Sequence, residues 1–249
     1  MKKYSLTIGW LYPDLMNTYG DRGNIIVLQK RAERRGIKVQ IEQISLNTPY
    51  LILNTCDLFF MGGAQDTQQE IVNRDLQGKK GSELIRMIKN GTPGLYICGA
   101  YQFLGRYYRT ADNKKLPGLG IFPLYTENPG EKHNRLIGNV LIKPKIERLT
   151  QPLIGFENHG GRTHLENKSM AIGTVINGFG NNGEDKTEGI VYKNSFGSYL
   201  HGPILPKNPK LADLLITLAL EKKYGQKFHL EPLDDSIETK ARKAILKRI

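Results

Sequence analysis

The chain has 249 residues, 39% of them apolar and 24% charged, which is ordinary globular composition with length enough for a sizeable core and excludes disorder. Lys and Arg number 36 against 24 Asp and Glu, a formal charge of +12. Those cations are scattered except for clusters at Lys30–Arg35 and Lys240–Arg248, both on helical periodicity, so solvated helix faces account for them before a nucleic-acid surface does.

No run approaches the ~18 apolar residues of a membrane helix, and the opening MKKYSLTIGWLYPD reads as a first strand rather than a signal peptide. A soluble, cytoplasmic protein is expected. Residues 4–10 form that strand, Gly20 to Arg35 a helix closed by Gly36, and residues 37–44 (IKVQIEQI) a half-buried alternating strand. Cys56 precedes a short apolar strand, Asp57 to Met61, and reads as a small buried thiol. Helical character over residues 67–89 is broken near Gly78 and Gly81. Gly94 to Ile97 make a buried strand followed at once by a short helix through Tyr107. Strands alternating with helices indicate an α/β fold, a doubly wound and mostly parallel sheet flanked by helices.

From about Pro117 to Ser198 the texture changes. Gly, Asn and Pro become frequent, and RLIGNVLI and GIVYKNSFGSYL read as strands of an added antiparallel or mixed β region. Asn177 to Lys186 reads as a turn or flexible loop. Asn208-Pro209 supplies a cap and first-turn proline for an apolar helix through Tyr224, ended by Gly225. A basic helix over Asp235 to Ile249 follows. Its Asp235 and Glu238 have capping-box spacing, and Ile237, Ala241, Ala244, Ile245 and Ile249 share a face suited to packing on the chain's own sheet or to docking a partner. No repeat or long linker divides the chain, so a single domain over residues 1–249 is expected.

Three short segments carry chemistry. In PGLYICGAYQFLG an apolar strand runs straight into Cys98-Gly99 and then into a helical pattern. This is the thiol counterpart of a nucleophile elbow, in which the strand-to-helix turn exposes the nucleophile and the helix start favours thiolate. Gly62-Gly63, after an apolar strand, would let backbone N–H groups approach a developing oxyanion. GSYLHGP places His201 at the end of an apolar strand, where a rigid base belongs. His133 and His229 lie in polar surroundings, and His159 and His164 flank a glycine-rich loop. There is no P-loop, no H-E-x-x-H and no tight metal cluster.

The segments FMGGAQ, YICGAYQ, GFENHG and SYLHGP, in that order, resemble class I glutamine amidotransferases of the cobyric-acid-synthase-like branch. The opening LYPDLMNTYGDRGN is similar to the start of the amidotransferase subunits of lipid II isoglutaminyl synthases. The resemblance implies that Cys98 is the nucleophile and His201 the general base. It also implies that the N–H groups of Gly63 and Gly99 serve the oxyanion, and that Gln102 and Arg135 hold L-glutamine. One departure is plain: the general pattern is His-x-Glu, and here Pro203 stands in the glutamate's place.

The resemblance further implies no cofactor in this chain. It implies a heterodimer with a Mur-ligase-like synthetase subunit that uses ATP and magnesium, amidating membrane-anchored lipid II without a membrane span or nucleic acid. Two rivals stay open on sequence alone. One is an amidotransferase subunit for another acid, such as a cobalamin-pathway intermediate; the other is a non-catalytic basic binding module.

Overall fold

The computed structural model describes residues 4–130 and 132–249. Its first strands, β1 (Ser5–Leu11) and β2 (Lys38–Ile44), pair in parallel and are joined through α1 (Arg22–Glu33). β3 (Leu58–Met61) and β4 (Gly94–Ile97) extend the parallel set, joined through α2 (Asp66–Leu76) and α3 (Lys79–Lys89). Every residue of β3 (LFFM) and β4 (GLYI) is buried. Both faces of a central parallel strand are covered, so such strands read as unbroken apolar runs. β2 lies at the sheet edge and keeps polar residues among its apolar ones. The helical break falls at Gln77-Gly78 alone; Gly81 lies inside α3, where a side chain would collide with the Leu76 carbonyl.

After Cys98 comes α4 (Gly99–Phe103). The helix expected through Tyr107 stops here, because Tyr107–Arg109 form a strand, β5, paired with β6 (Lys115–Pro117) and β7 (Leu124–Glu127). β8 (Leu136–Pro144) and β9 (Leu153–His159) make a long antiparallel pair, and β10 (Arg162–Leu165) returns to β7. β11 (Gly173–Asn177) and β12 (Thr187–Glu188) add to β8, completing two four-stranded sheets, β10-β7-β5-β6 and β12-β11-β8-β9. Residues 177–186 are pinned rather than loose. Asn181 and Asn182 are buried, and the Glu157 carboxylate accepts the N–H groups of Phe179 and Gly180 at 2.6 and 2.9 Å.

The stretch GIVYKNSFGSYL is a hairpin, β13 (Ile190–Tyr192) and β14 (Ser195–Ser198). β14 rejoins the first sheet parallel to β4, giving the order β13-β14-β4-β3-β1-β2. The carboxyl end of β4 therefore opens between two covered neighbours, which is where parallel sheets place their sites.

α5 (Ile204–Lys207) and α6 (Pro209–Tyr224) pack against α1. Asn208 makes no capping bond to α6. Its side chain instead accepts from Ile154 N at 2.9 Å and donates to Ile154 O at 2.7 Å, tying α6 to β9. α7 (Ser236–Leu246) likewise lacks its expected capping box, because Arg31 takes the Asp235 carboxylate at 2.6 Å. No α7 residue is buried and Ile237 is 77% exposed. The apolar stripe is thus not packed on the chain's own sheet. Among the described residues no helix is long and apolar enough to cross a membrane.

Candidate active site

β4 delivers Cys98 into a turn with φ 53° and ψ −108°, a region that non-glycine residues occupy only under strain. The turn is over-determined by its neighbours: Cys98 N–H donates to the Ser198 carbonyl of β14 at 2.9 Å, and Cys98 O accepts from Gln102 N at 3.0 Å. Cys56 differs in kind. Burial pushes its thiol up to about 12, so it stays protonated at neutral pH.

β14 stops at Ser198, so His201 is not on the strand. It is fixed by a two-bond bridge to β9, with His201 N–H donating to Phe156 O at 2.7 Å and Phe156 N–H donating back at 3.2 Å. Lys207 Nζ donates to the carbonyls of His201 at 3.2 Å, of Gly202, and of Pro203 at 3.4 Å. His201 is fully buried. Burial, and then unfavourable electrostatics from His159 and from the cations Lys207 and Arg135, bring its imidazole down to about 3. The ring is neutral at physiological pH.

Gly63 brings the two residues together. A side chain there would begin 3.1 Å from Cys98 Cβ and 3.2 Å from His201 Cε1, so anything larger than glycine would press the two apart by a few tenths of an ångström. Its N–H, which would face an oxyanion on the sequence reading, here donates to Asp21 Oδ2 at 2.8 Å. Its carbonyl accepts from Thr18 N at 3.1 Å. Gly99 opens α4, and Gln69 Nε2 lies 2.8 Å from where a side chain on it would begin.

Above Cys98 lies a cavity of about 460 Å³, within the roughly 300–1,000 Å³ of small-ligand sites. Gln102 lines it, buried, with Nε2 on the Tyr199 hydroxyl at 3.0 Å and Oε1 without a partner among the described residues. Arg135 lines the exposed side, its Nε and Nη2 held by Asn158 Oδ1 at 2.8 Å and Asn158 O at 2.9 Å. A guanidinium fixed along one edge still presents N–H donors to a carboxylate.

Several further residues line the cavity that the sequence did not assign to the site, among them His159, Asn158 and Asn128. His159 stacks on Tyr199 at 3.6 Å with an interplanar angle of 4° and bonds Gly161 O through Nδ1 at 2.7 Å. Burial lowers its pKa, which makes it a neutral wall of the cavity. Asn158 and His159 belong to the motif GFENHG, which pointed at the right segment without saying which side chains turn inward. Among the described residues no group of His, Cys, Asp and Glu could hold a metal ion.

The architecture is that of the class I glutamine amidotransferases. A solved glutamine amidotransferase matches with TM-score 0.54 and 13% identity over 85% of this chain and 98% of its own. The glutaminase domain of Trypanosoma brucei CTPS, with bound acivicin, matches with TM-score 0.54 and 12% identity over 91% and 96%. At such identities the likeness is one of fold.

Sequence narrows the class. The chain belongs to the family of the CobB/CobQ-like glutamine amidotransferase domain, whose model matches residues 7–209, and it is therefore a glutamine amidotransferase. It is 44% identical over 245 residues, 98% of this chain and 96% of the relative, to the lipid II isoglutaminyl synthase (glutamine-hydrolyzing) subunit GatD of Staphylococcus aureus strain N315. It is 46% identical over 232 residues, 93% and 87%, to the subunit of the same name of Streptococcus pneumoniae strain ATCC BAA-255 / R6. The cobyric acid synthase of Desulfitobacterium hafniense strain DSM 10664 / DCB-2 is 30% identical over 54% of this chain and 26% of that protein.

Proposed function

We propose that this chain is the glutamine-hydrolysing subunit of a lipid II isoglutaminyl synthase, with Cys98 as nucleophile and His201 as general base. The observation that carries the reading is the convergence of Cys98 and His201 on Gly63, beneath an Arg135-lined cavity. It occurs in a chain matching two GatD subunits over 98% and 93% of its length.

In this reading L-glutamine enters with its α-carboxylate at Arg135 and its amide over Cys98. His201 takes the thiol proton, and the thiolate attacks the amide carbon. The imidazolium returns the proton to the departing nitrogen, leaving ammonia and a glutamyl thioester. Water, deprotonated by the same imidazole, releases glutamate and restores the thiol. Gln102, through its open Oε1, is suited to accept from an N–H of the substrate.

An imidazole held down to about 3 is neutral but weakly basic, and Pro203 stands where the general pattern supplies an orienting carboxylate. A carboxylate brought by the synthetase subunit would raise that pKa and orient the ring. The Mur-ligase-like partner, its ATP and magnesium, and amidation of the stem-peptide D-glutamate to D-isoglutamine complete the proposal; this chain itself needs no cofactor. The Desulfitobacterium relative shares only a quarter of its length with this chain, which favours a common ammonia-producing module over a common acceptor.

The test is the reconstituted heterodimer. Glutamine-dependent amidation of lipid II is expected, lost in Cys98→Ala and restored by free ammonia. Failure of ammonia to restore it would overturn the division of labour. Amidation of a corrin acid instead of lipid II would overturn the acceptor.

A further inference from the structure

The segment between β1 and α1 plays no part in the chemistry above, yet it grips both backbone groups of Gly63. Thr18 N–H holds the carbonyl at 3.1 Å, and the Asp21 carboxylate holds the N–H at 2.8 Å. The grip is built into the fold. Asp21 stands at the start of α1 and is completely buried, and its second oxygen, Oδ1, has no partner among the described residues. A side chain on Gly62 would begin 2.6 Å from the Met16 carbonyl and 2.7 Å from Asp21 Oδ2, so the Gly62-Gly63 peptide lies flat on this segment.

A peptide N–H aimed at a carboxylate cannot also be aimed at an oxygen forming beside Cys98. A carboxylate so close would moreover repel the negative charge of a tetrahedral intermediate. We propose that Asp21 is a positioning residue for glutamine hydrolysis: by accepting the Gly63 N–H it keeps the Gly62-Gly63 peptide turned away from Cys98, and the peptide turns over, exchanging Asp21 for the oxyanion, when the tetrahedral intermediate forms. The proposal rests on the reading of Cys98 as nucleophile. Among the described residues no charged group is bonded to Asp21, and burial pushes its carboxyl up to about 7 against the lowering effect of the Gly63 N–H. The grip is therefore a poised one, held by a carboxylate with little to keep it ionised.

Two measurements test it. In Asp21→Asn the acceptor becomes neutral and the hold weaker, so kcat of the chain for glutamine is expected to rise about tenfold with KM unchanged, the difference between a charge-assisted and a neutral hydrogen bond. The rate of Cys98 alkylation by iodoacetamide, which forms no oxyanion, is expected to stay as in the wild type. A folded variant whose kcat is unchanged or lower overturns the proposal.

Should the variant fail to fold, the wild-type protein decides. The aldehyde analogue of glutamine would add to Cys98 as a tetrahedral hemithioacetal, and the amide resonance of Gly63 in the ¹⁵N-labelled chain is expected to shift strongly as it does so. A Gly63 resonance unmoved by hemithioacetal formation overturns the proposal. If the aldehyde does not add to Cys98, or Cys98→Ala still hydrolyses glutamine, the underlying reading fails instead, and the two failures are distinguishable.

Discussion

Cys98 and Arg135 face one cavity from two halves that are built differently. Cys98 ends a strand whose neighbours on both sides are covered and parallel, in a turn locked by Ser198 and Gln102. Arg135 precedes β8, is exposed, and is steadied by the single residue Asn158. The half that holds the thiol is buried between parallel strands, whereas the half that presents Arg135 is a small antiparallel addition. Bond-breaking geometry tolerates little displacement, while recognition of a carboxylate by a long side chain tolerates more. The structural difference follows that division. The two halves are stitched at the Phe156–His201 bridge.

Damage on the parallel side should therefore abolish turnover, and damage on the antiparallel side should weaken binding. Cys98→Ala is expected to reduce glutamine hydrolysis below ~1% of wild type, since losing a covalent nucleophile costs orders of magnitude, while circular dichroism stays unchanged. Residual hydrolysis above that level would remove Cys98 from the chemistry.

The stitch itself should be intolerant of charge. The folded pKa of His201, about 3, lies below the unfolded value of about 6.5, so the unfolded chain binds more protons between those pH values. Its contribution is complete above pH ~6.5 and is lost as pH falls towards 3, about 2–3 kcal/mol of it by pH ~4.5. Denaturant melts at pH 8 and 4.5 should show a smaller acid loss in His201→Gln than in wild type. Equal losses would mean that the folded chain protonates this imidazole without penalty.

On the antiparallel side, Arg135→Ala should raise KM by about 10- to 150-fold with kcat little changed, the worth of a charge-assisted contact of roughly 1.5–3 kcal/mol. An unchanged KM would return Arg135 to the surface. Asn158→Ala should raise KM less, by about two- to tenfold, because it removes the one side-chain bond that aims the guanidinium and leaves the bond to the Asn158 carbonyl. If it instead lowered kcat alone, Asn158 would belong with the nucleophile. Removing residues 236–249 should cost only about 1 kcal/mol, since no α7 residue is buried and the helix is tied down by polar contacts, Arg242 with Lys207 O and Asn208 Oδ1. A much larger drop in Tm would place the helix in the core, and co-purification with the synthetase subunit would test its docking role.

The same division explains what could be read from the chain. β3, β4 and the turn at Cys98 were legible because central parallel strands and a strand-to-helix turn are encoded by contiguous residues. α4 ends early because Tyr107–Arg109 pair with residues up to 18 positions away, which no local pattern announces. Asp235 looked like a cap because its competitor, Arg31, lies 204 residues distant. His159 was set aside as a loop histidine because the Tyr199 ring that covers it comes 40 positions later. Arg135 and Gln102 were reachable only through family resemblance; one precedes β8 and the other lies on α4, and only tertiary packing places both on one cavity. Asp21 lay within a segment that served to recognise the family, and nothing in its neighbours points to the Gly63 amide.

The positive φ at Cys98 has a consequence for how such a chain can change. A side chain in that conformation costs about 1–3 kcal/mol, and glycine would occupy it with little strain. Replacing Cys98 by glycine should accordingly yield a chain that melts at a higher temperature and hydrolyses nothing. Selection for stability alone would drift towards that substitution. A library screened only for solubility or heat resistance should lose this thiol early, and persistence of cysteine at position 98 among independent survivors would report that glutamine hydrolysis itself was being selected.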